Sequence, residues 1–355
     1  MKALRLPPDA RVLVVVLRRL GDVLLSTPLI HSLRVALPAA TIDALVFAAT
    51  EGILTGNPDL TNIIAVPRRL GAGEYWALLR RLLRRYDLAL STQTGDRPTM
   101  LAVVAGRYSV GPVEAERVSA RVKRWALSRS LVADRRRHRI PEVLRLAEAI
   151  GIAAIPQVVC PSGTVRRELA PREAYAVIHA APMFTYKRWT SDGWRCLATA
   201  LRQRGLSTVA TGGKDDADYL DRVWDDRHIV RLDGRLEWPE LTALIRGAQV
   251  YIGPDTAITH LAAATGAPTV ALYGPTNPQI WGPWPSGGLD DPWQAAGTMQ
   301  RRGNVWLVQN PLSCLPCQQE GCDRHLDSRS QCLDELSVSA VIAAVDQALA
   351  ARRCA

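Results

Sequence analysis

The chain has no apolar run near the roughly 18 residues that a membrane span requires. Arg11 to Leu17 is apolar but short, and Gly21-Asp22 follow soon after it, so it reads as a strand rather than a signal peptide. These features predict a cytoplasmic location. Gly-x-Gly-x-x-Gly is missing after the first strand, and no Walker-type phosphate loop occurs. Both absences argue against a nicotinamide dehydrogenase and an ordinary ATPase. No Ser-His-Asp order is evident, no His-rich metal spacing occurs, and no repeat runs at solenoid period. Aromatic residues make up only 6% of the chain, with two phenylalanines.

What is present is an ordinary globular composition: 48% hydrophobic and 22% charged over 355 residues, enough for two domains. The net charge of +10 is unevenly placed. Residues 1–160 hold 24 Lys and Arg against 13 Asp and Glu, whereas the remainder holds 20 against 21. The basic half therefore calls for an anionic partner. Nucleic acid and a phosphorylated glycolipid on an anionic membrane both qualify. Aromatics for base stacking are sparse in that half: Tyr75, Trp76, Tyr86, Tyr108, Trp125 and Phe47.

Short apolar strands alternate with helical spacing along most of the chain. Val12–Leu17, Ile42–Phe47, Asn62–Val66 and Asp87–Leu90 read as strands. Val23–Leu37 and Tyr75–Tyr86 read as helices. Residues 156–173, with Pro156, Pro161, Gly163 and Pro171, read as a linker. A second series follows, with strands at Ala176–His179, Ser207–Thr211, Ile229–Leu232, Val250–Ile252, Thr269–Tyr273 and Val305–Val308. Pro283 to Gly303 reads as an irregular loop, and Ser337 to Arg352 as a last amphipathic helix. The boundaries are 1–160, 174–335 and a C-terminal helix at 336–355. This is an α/β pattern of two Rossmann-like, doubly wound domains.

The stretch Val250 to Pro278 holds two polar turns, each at the end of a strand. Parallel α/β sheets bind ligands at such ends. Asp255 or Thr256 can cap the helix between them, and Gly266 stops it. The free N–H groups at that helix start suit a diphosphate. Asp22, after the first strand, is placed either to cap a helix or to accept a proton from a sugar hydroxyl.

Asp255-Thr-x-x-x-His260-Leu-Ala-Ala-Ala, then Gly266-x-Pro-x-Val-Ala-Leu-Tyr-Gly-Pro-Thr276-x-Pro, resembles the donor-site signature of the lipopolysaccharide core heptosyltransferases, glycosyltransferase family 9. Arg18-Arg19-Leu20-Gly21-Asp22-Val23 with Thr27-Pro28 resembles the family's N-terminal signature. Ala257-Ile258 stands where Gly-Leu is common. With Ile280-Trp281-Gly282-Pro283-Trp284, this is closer to the third core heptosyltransferase than to the first. The resemblance covers nearly the whole chain. It implies the GT-B architecture, with the two domains facing across a cleft, and an inverting, metal-independent transfer of heptose from ADP-heptose to an anionic lipopolysaccharide core. It implies peripheral contact with the cytoplasmic face of the inner membrane and no nucleic acid.

By the same resemblance Asp22 is the general base and Lys187 faces the donor diphosphate. Asp255, Thr256, Ala257, His260, Thr185, Asp216, Leu236 and Thr276 form the donor site, and Arg18 and Arg19 meet the acceptor. Each has a plainer alternative: Lys187 as a surface lysine, Asp216 as a helix-start residue, Arg18 and Arg19 as solvated side chains. Cys314-x2-Cys317-x4-Cys322-x9-Cys332 has no part in that transfer. Four thiolates within nineteen residues suit a structural zinc ion, or they are simply reduced thiols. Cys160, Cys196 and Cys354 are scattered and read as ordinary residues.

Overall fold

Arg11–Val16 is the central strand of the first sheet because its side chains are apolar on both faces, and Val12 to Val16 are all buried. Each such valine or leucine contributes about 1.5–3 kcal/mol by leaving water. A computed structural model of the protein describes residues 4–115, 118–164, 166, 168–169, 171–225 and 228–353. Cys354 lies outside the described residues. The chain divides into two compact units, Met1–Pro161 and Ser162–Ala355.

The first unit runs β1 (Arg11–Val16), α1 (Leu20–Leu24), α2 (Thr27–Ala36), β2 (Thr41–Phe47), β3 (Asn62–Val66), α3 (Ala72–Leu82), β4 (Tyr86–Ser91), α4 (Asp96–Ala105), β5 (Gly106–Val113), α5 (Val118–Ala126), β6 (Arg129–Val132) and α6 (Arg139–Ala149). The sheet is parallel, in the order β3-β2-β1-β4-β5-β6. Its order reverses between β1 and β4. Leu13 and Val15 of β1 pack with Leu78 and Leu82 of α3 and with Leu101 and Ala102 of α4. Val103 of α4 packs with Ala120 of α5. Helices α3, α4 and α5 thus form one layer, while α2 packs against α6.

The second unit runs β7 (Tyr175–His179), α7 (Ser191–Gln203), β8 (Ser207–Thr211), α8 (Ala217–Val223), β9 (Val230–Arg231), α9 (Trp238–Gly247), β10 (Val250–Pro254), α10 (Ala257–Thr265), β11 (Thr269–Tyr273), α11 (Pro278–Trp281), β12 (Met299–Arg302), β13 (Val305–Gln309), α12 (Gln331–Asp334) and α13 (Val338–Arg353). Its order is β12-β13-β11-β10-β7-β8-β9, with β12 alone antiparallel. The reversal lies between β10 and β7. Val341, Ala344, Val345 and Ala348 of α13 join the core of this sheet.

Three local readings change. The helix expected over Val23–Leu37 is two helices, because the Ser26 and Thr27 hydroxyls turn back to the carbonyls of Asp22 and Leu24, both at 2.7 Å. The helix expected to reach Tyr86 ends at Leu82, since Tyr86 opens β4 and its hydroxyl donates to buried Asp43 at 2.8 Å. Residues 283–303, read as a loop, include β12, whose mixed sequence pairs only as an antiparallel edge.

Candidate donor and acceptor site

In the second unit the site grows from β10 and β11. Pro254 closes β10 and Thr256, not Asp255, caps α10, its hydroxyl accepting from the Thr259 N–H at 3.4 Å. Gly266 ends the helix at φ 85°, a left-handed conformation in which a side chain would be strained. Relieved of capping, the Asp255 carboxylate points elsewhere. Its Oδ2 lies 2.5 Å from Lys187 Nζ and accepts from the Thr276 hydroxyl at 2.6 Å. His260 Nε2 stands 4.0 Å from Oδ1. Burial of Asp255 opposes ionisation, but Lys187 and His260, with hydrogen bonds from Lys187 and Thr276, outweigh it and hold the carboxyl below its usual range. Burial pushes His260 down to about 4, with Lys187 adding to it against Asp255, so the ring is neutral near pH 7. Its Nδ1 has no hydrogen-bond partner among the described residues.

Lys187 follows β7 and ends a short 3-10 turn, Thr185–Lys187. Trp189 holds the chain beyond it: the indole is buried, packs edge-on against Trp194 at 5.0 Å and donates to the Leu336 carbonyl at 2.9 Å. The Ser330 hydroxyl donates to the Tyr186 carbonyl at 2.7 Å, and the Gln318 N–H donates to the Pro275 carbonyl at 2.8 Å. The cysteine-bearing segment therefore ties down both turns that bear on Asp255. Ala257 opens α10, where the first N–H groups have no acceptor inside the helix.

The remaining donor-site candidates sit further out. Asp216 Oδ2 accepts from the Gly213 N–H at 2.7 Å, which is the local helix-start role. Burial raises its carboxyl pKa. Arg188 lies 4.0 Å over the Tyr219 ring in the neighbouring helix α8. Leu236 is half-buried in the turn before α9.

In the first unit Asp22 is not a cap. It lies inside α1, whose N-cap is Arg19, and it is buried. Arg139, the first residue of α6, brings Nε to 3.7 Å from Asp22 Oδ1 and donates from Nη2 to the Thr92 carbonyl at 2.9 Å. Burial lowers the Arg139 pKa, Asp22 opposes that and Arg18 adds to it. The sequence reading missed Arg139 because 117 residues separate it from Asp22 and one arginine among many carries no local signal. Thr92, in the polar turn after β4, was equally silent. Arg18 and Arg19 are exposed beside α1.

The cysteines do not form the expected metal set. Among the described residues no group of three or more His, Cys, Asp or Glu side chains is arranged to hold a metal ion. Cys332 turns into the core below Gly274, while Cys314 and Cys322 face solvent and Cys317 is half-buried. Burial first, and then the nearby Cys317, Cys322 and Cys314, push the Cys332 thiol up to about 12.

Two largely parallel sheets, each with polar side chains at its reversal point, are the arrangement of a two-unit ligand-binding α/β protein. Residues 75–287 match the family described as glycosyltransferase family 9 (heptosyltransferase). Lipopolysaccharide heptosyltransferase 3 of Escherichia coli K12 is 30% identical over 287 residues, covering 74% of this chain and 82% of that protein. The chain belongs to glycosyltransferase family 9 and is a glycosyltransferase, which sets aside a non-enzymatic binding module. Among solved structures it resembles E. coli ADP-heptose lps heptosyltransferase II, at a TM-score of 0.73 and 18% identity over 97% of this chain and 99% of the other. It also resembles the iron-containing dodecameric glycosyltransferase TibC of enterotoxigenic E. coli, at a TM-score of 0.56 and 16% identity over 96% of this chain and 76% of the other. These likenesses identify the fold as that of GT-B glycosyltransferases.

Proposed function

We propose that this protein transfers a heptose from ADP-heptose to a hydroxyl of a lipopolysaccharide core acceptor. Family membership supports the reaction class, and the relative at 30% identity is named for that sugar and acceptor class. The observation that carries the donor assignment is the cluster of Lys187, Thr276 and His260 around Asp255 at the reversal point of the second sheet.

In this reading the acceptor hydroxyl attacks the anomeric carbon as the bond to the diphosphate oxygen breaks. ADP leaves with the electron pair and Asp22 takes the hydroxyl proton. One displacement inverts the anomeric centre. Lys187 exchanges part of its contact with Asp255 for the diphosphate, whose charge grows as it departs. The α10 N–H groups at Ala257 and Ile258 add to that stabilisation, and Thr256 lines the same turn. Thr185, Asp216 and Leu236 flank the nucleoside end of the donor. Asp255 holds Lys187, Thr276 and His260 in register. Arg139 holds Asp22, while Arg18 and Arg19 receive anionic groups of the acceptor. The first unit binds the acceptor and the second the donor, at the cytoplasmic face of the inner membrane. No step requires a metal ion.

Incubation of purified protein with ADP-heptose and truncated core lipid, followed by mass measurement, tests this. A product heavier by one heptose residue supports the reading. No product with ADP-heptose, but product with another nucleotide sugar, replaces the donor.

A further inference from the structure

The layer of α3, α4 and α5 carries an unusual outer surface. Only two of the ten tryptophans are exposed, Trp76 at 64% and Trp125 at 89%. Trp76 lies on α3 and Trp125 on α5. Leu83, Met100 and Val122 are also exposed, and all belong to this layer or its immediate end. Scattered apolar side chains on a surface need no explanation. Here five of the ten large hydrophobics exposed among the described residues lie on these three helices or at the end of α3, and that clustering marks an interaction surface.

The helical spacing explains the exposure. On α3, Leu78 and Leu82 turn to the sheet, so Trp76, Arg80 and Leu83, at four- and three-residue steps, form the opposite stripe. Gly73, Trp76, Ala77 and Arg80 line a shallow, open depression there. On α5, Ala120 packs inward, and Lys123 is drawn to Asp96 at 2.6 Å and to the Thr94 carbonyl. Arg121, Val122, Arg124 and Trp125 remain on the outside. The charge around these apolar groups is mostly positive. Arg80, Arg81 and Arg85 are exposed at α3 and its end, and α5 contains no acidic residue. Three described acids beside these helices are engaged: Glu74 accepts from the Gly71 N–H at 2.8 Å, Asp96 pairs with Lys123, and Glu114 pairs with Arg135 at 2.6 Å.

We propose that the outer face of α3–α5 is a membrane-docking surface, on which Trp76 and Trp125 enter the headgroup region of an anionic bilayer and the surrounding arginines meet lipid phosphates. Indole rings favour that boundary, with one face apolar and a polar N–H. Each arginine near an anionic leaflet adds attraction. Aliphatic Leu83, Met100 and Val122 in the same layer suit acyl chains and offer nothing to a nucleobase. The proposal deepens the reading of a lipid-borne acceptor, since an enzyme held at the leaflet finds such an acceptor by diffusion in two dimensions.

Flotation of the full chain with vesicles of phosphatidylglycerol and phosphatidylethanolamine, against vesicles of phosphatidylcholine alone, tests it. Binding is expected to the anionic vesicles, with a blue shift of tryptophan emission. The pair Trp76→Ser and Trp125→Ser is expected to weaken it at least about tenfold, and Arg80→Gln, Arg81→Gln, Arg121→Gln and Arg124→Gln together about a hundredfold. Because these side chains are exposed, melting temperatures and transfer to a detergent-dispersed acceptor are expected to stay unchanged. Equal flotation of wild type and both variants overturns the proposal, as does failure of wild type to float. Tighter binding of the same face to single-stranded RNA than to the vesicles overturns it in favour of nucleic acid. Vesicle binding without any heptose transfer would leave this surface standing while removing the proposed reaction. Transfer without vesicle binding would do the reverse.

Discussion

Lys187 Nζ and Asp255 Oδ2 lie 2.5 Å apart across the reversal point of the second sheet, one after β7 and the other after β10. Their side chains are only 19% and 8% exposed. Removing one partner strands the other charge in a poorly hydrated place. Lys187→Met and Asp255→Asn are each expected to cost about 2–3 kcal/mol, less than a fully buried pair because the ammonium keeps some water. The double variant should cost clearly less than the two added, giving a coupling above about 1 kcal/mol in urea unfolding. Strict additivity would show the pair to be incidental. Both single variants should also weaken ADP-heptose binding, and Lys187→Met should lower turnover as well.

Asp22→Asn keeps the shape of the side chain and removes the base. Turnover is expected to fall about 100- to 10,000-fold, while donor affinity, which depends on the second unit, stays within about twofold. Near-normal turnover would place the base elsewhere. Arg139→Met removes the guanidinium beside Asp22 and leaves the Thr92 carbonyl unpaired. It should cost about 1–3 kcal/mol of stability and lower turnover without changing the donor dissociation constant. Stability loss with full turnover per folded molecule would make Arg139 purely structural.

Two buried histidines set an acid limit. Burial pushes His179 and His260 down to about 4 in the folded protein, against an ordinary 6.5. Their folded values are depressed, so the neutral rings contribute fully above about 6.5. That contribution is lost as pH falls from there towards 4, on the order of 3 kcal/mol for each. Asp255 acts in the same direction at lower pH, since its folded carboxyl is held below the unfolded value. Melting temperature should therefore drop steeply between pH 6.5 and 4. His179→Gln and His260→Gln should each flatten that slope. An unchanged slope in both variants would assign the acid limit to other groups.

Salt should separate the two ligands. The excess positive charge lies in residues 1–160, where acceptor binding is placed. Raising ionic strength shortens the screening length to about 8 Å at physiological salt, so acceptor affinity should fall more than donor affinity. Titrations of both ligands at two salt concentrations check this, and equal slopes would remove the acceptor from the basic half.

The sequence carried most of the strand-helix order because that information is local. β11 was read residue for residue at Thr269–Tyr273, since five apolar residues between two turns have few other conformations open to them. Gly266 as a helix stop was legible for the same reason: glycine alone adopts φ 85° without strain. The Asp255–His260 and Asp22 signatures also lie within single short stretches, so the resemblance to the family was visible in them.

Tertiary structure decided which side chains meet. The sequence left Asp255 as either cap or ligand group, and the fold settles its geometry by giving the cap to Thr256 and presenting the carboxylate to Lys187. Nothing local pairs Arg139 with Asp22; the parallel sheet does so by returning distant segments to the carboxyl end of β1. The cysteine spacing permitted a metal site, but packing buries Cys332 in the core and, among the described residues, arranges no group of three or more ligand side chains to hold an ion. Helical spacing groups Trp76 with Leu79, Leu82 and Leu83 as one apolar stripe, whereas in the structure Leu79 and Leu82 pack on the core with Leu78, and Trp76 and Leu83 are exposed. The exposure of Trp76 follows from Leu78 and Leu82 taking the sheet-facing side of α3. A sequence sets the order of apolar and polar groups along the chain, and only packing decides which of them water still reaches.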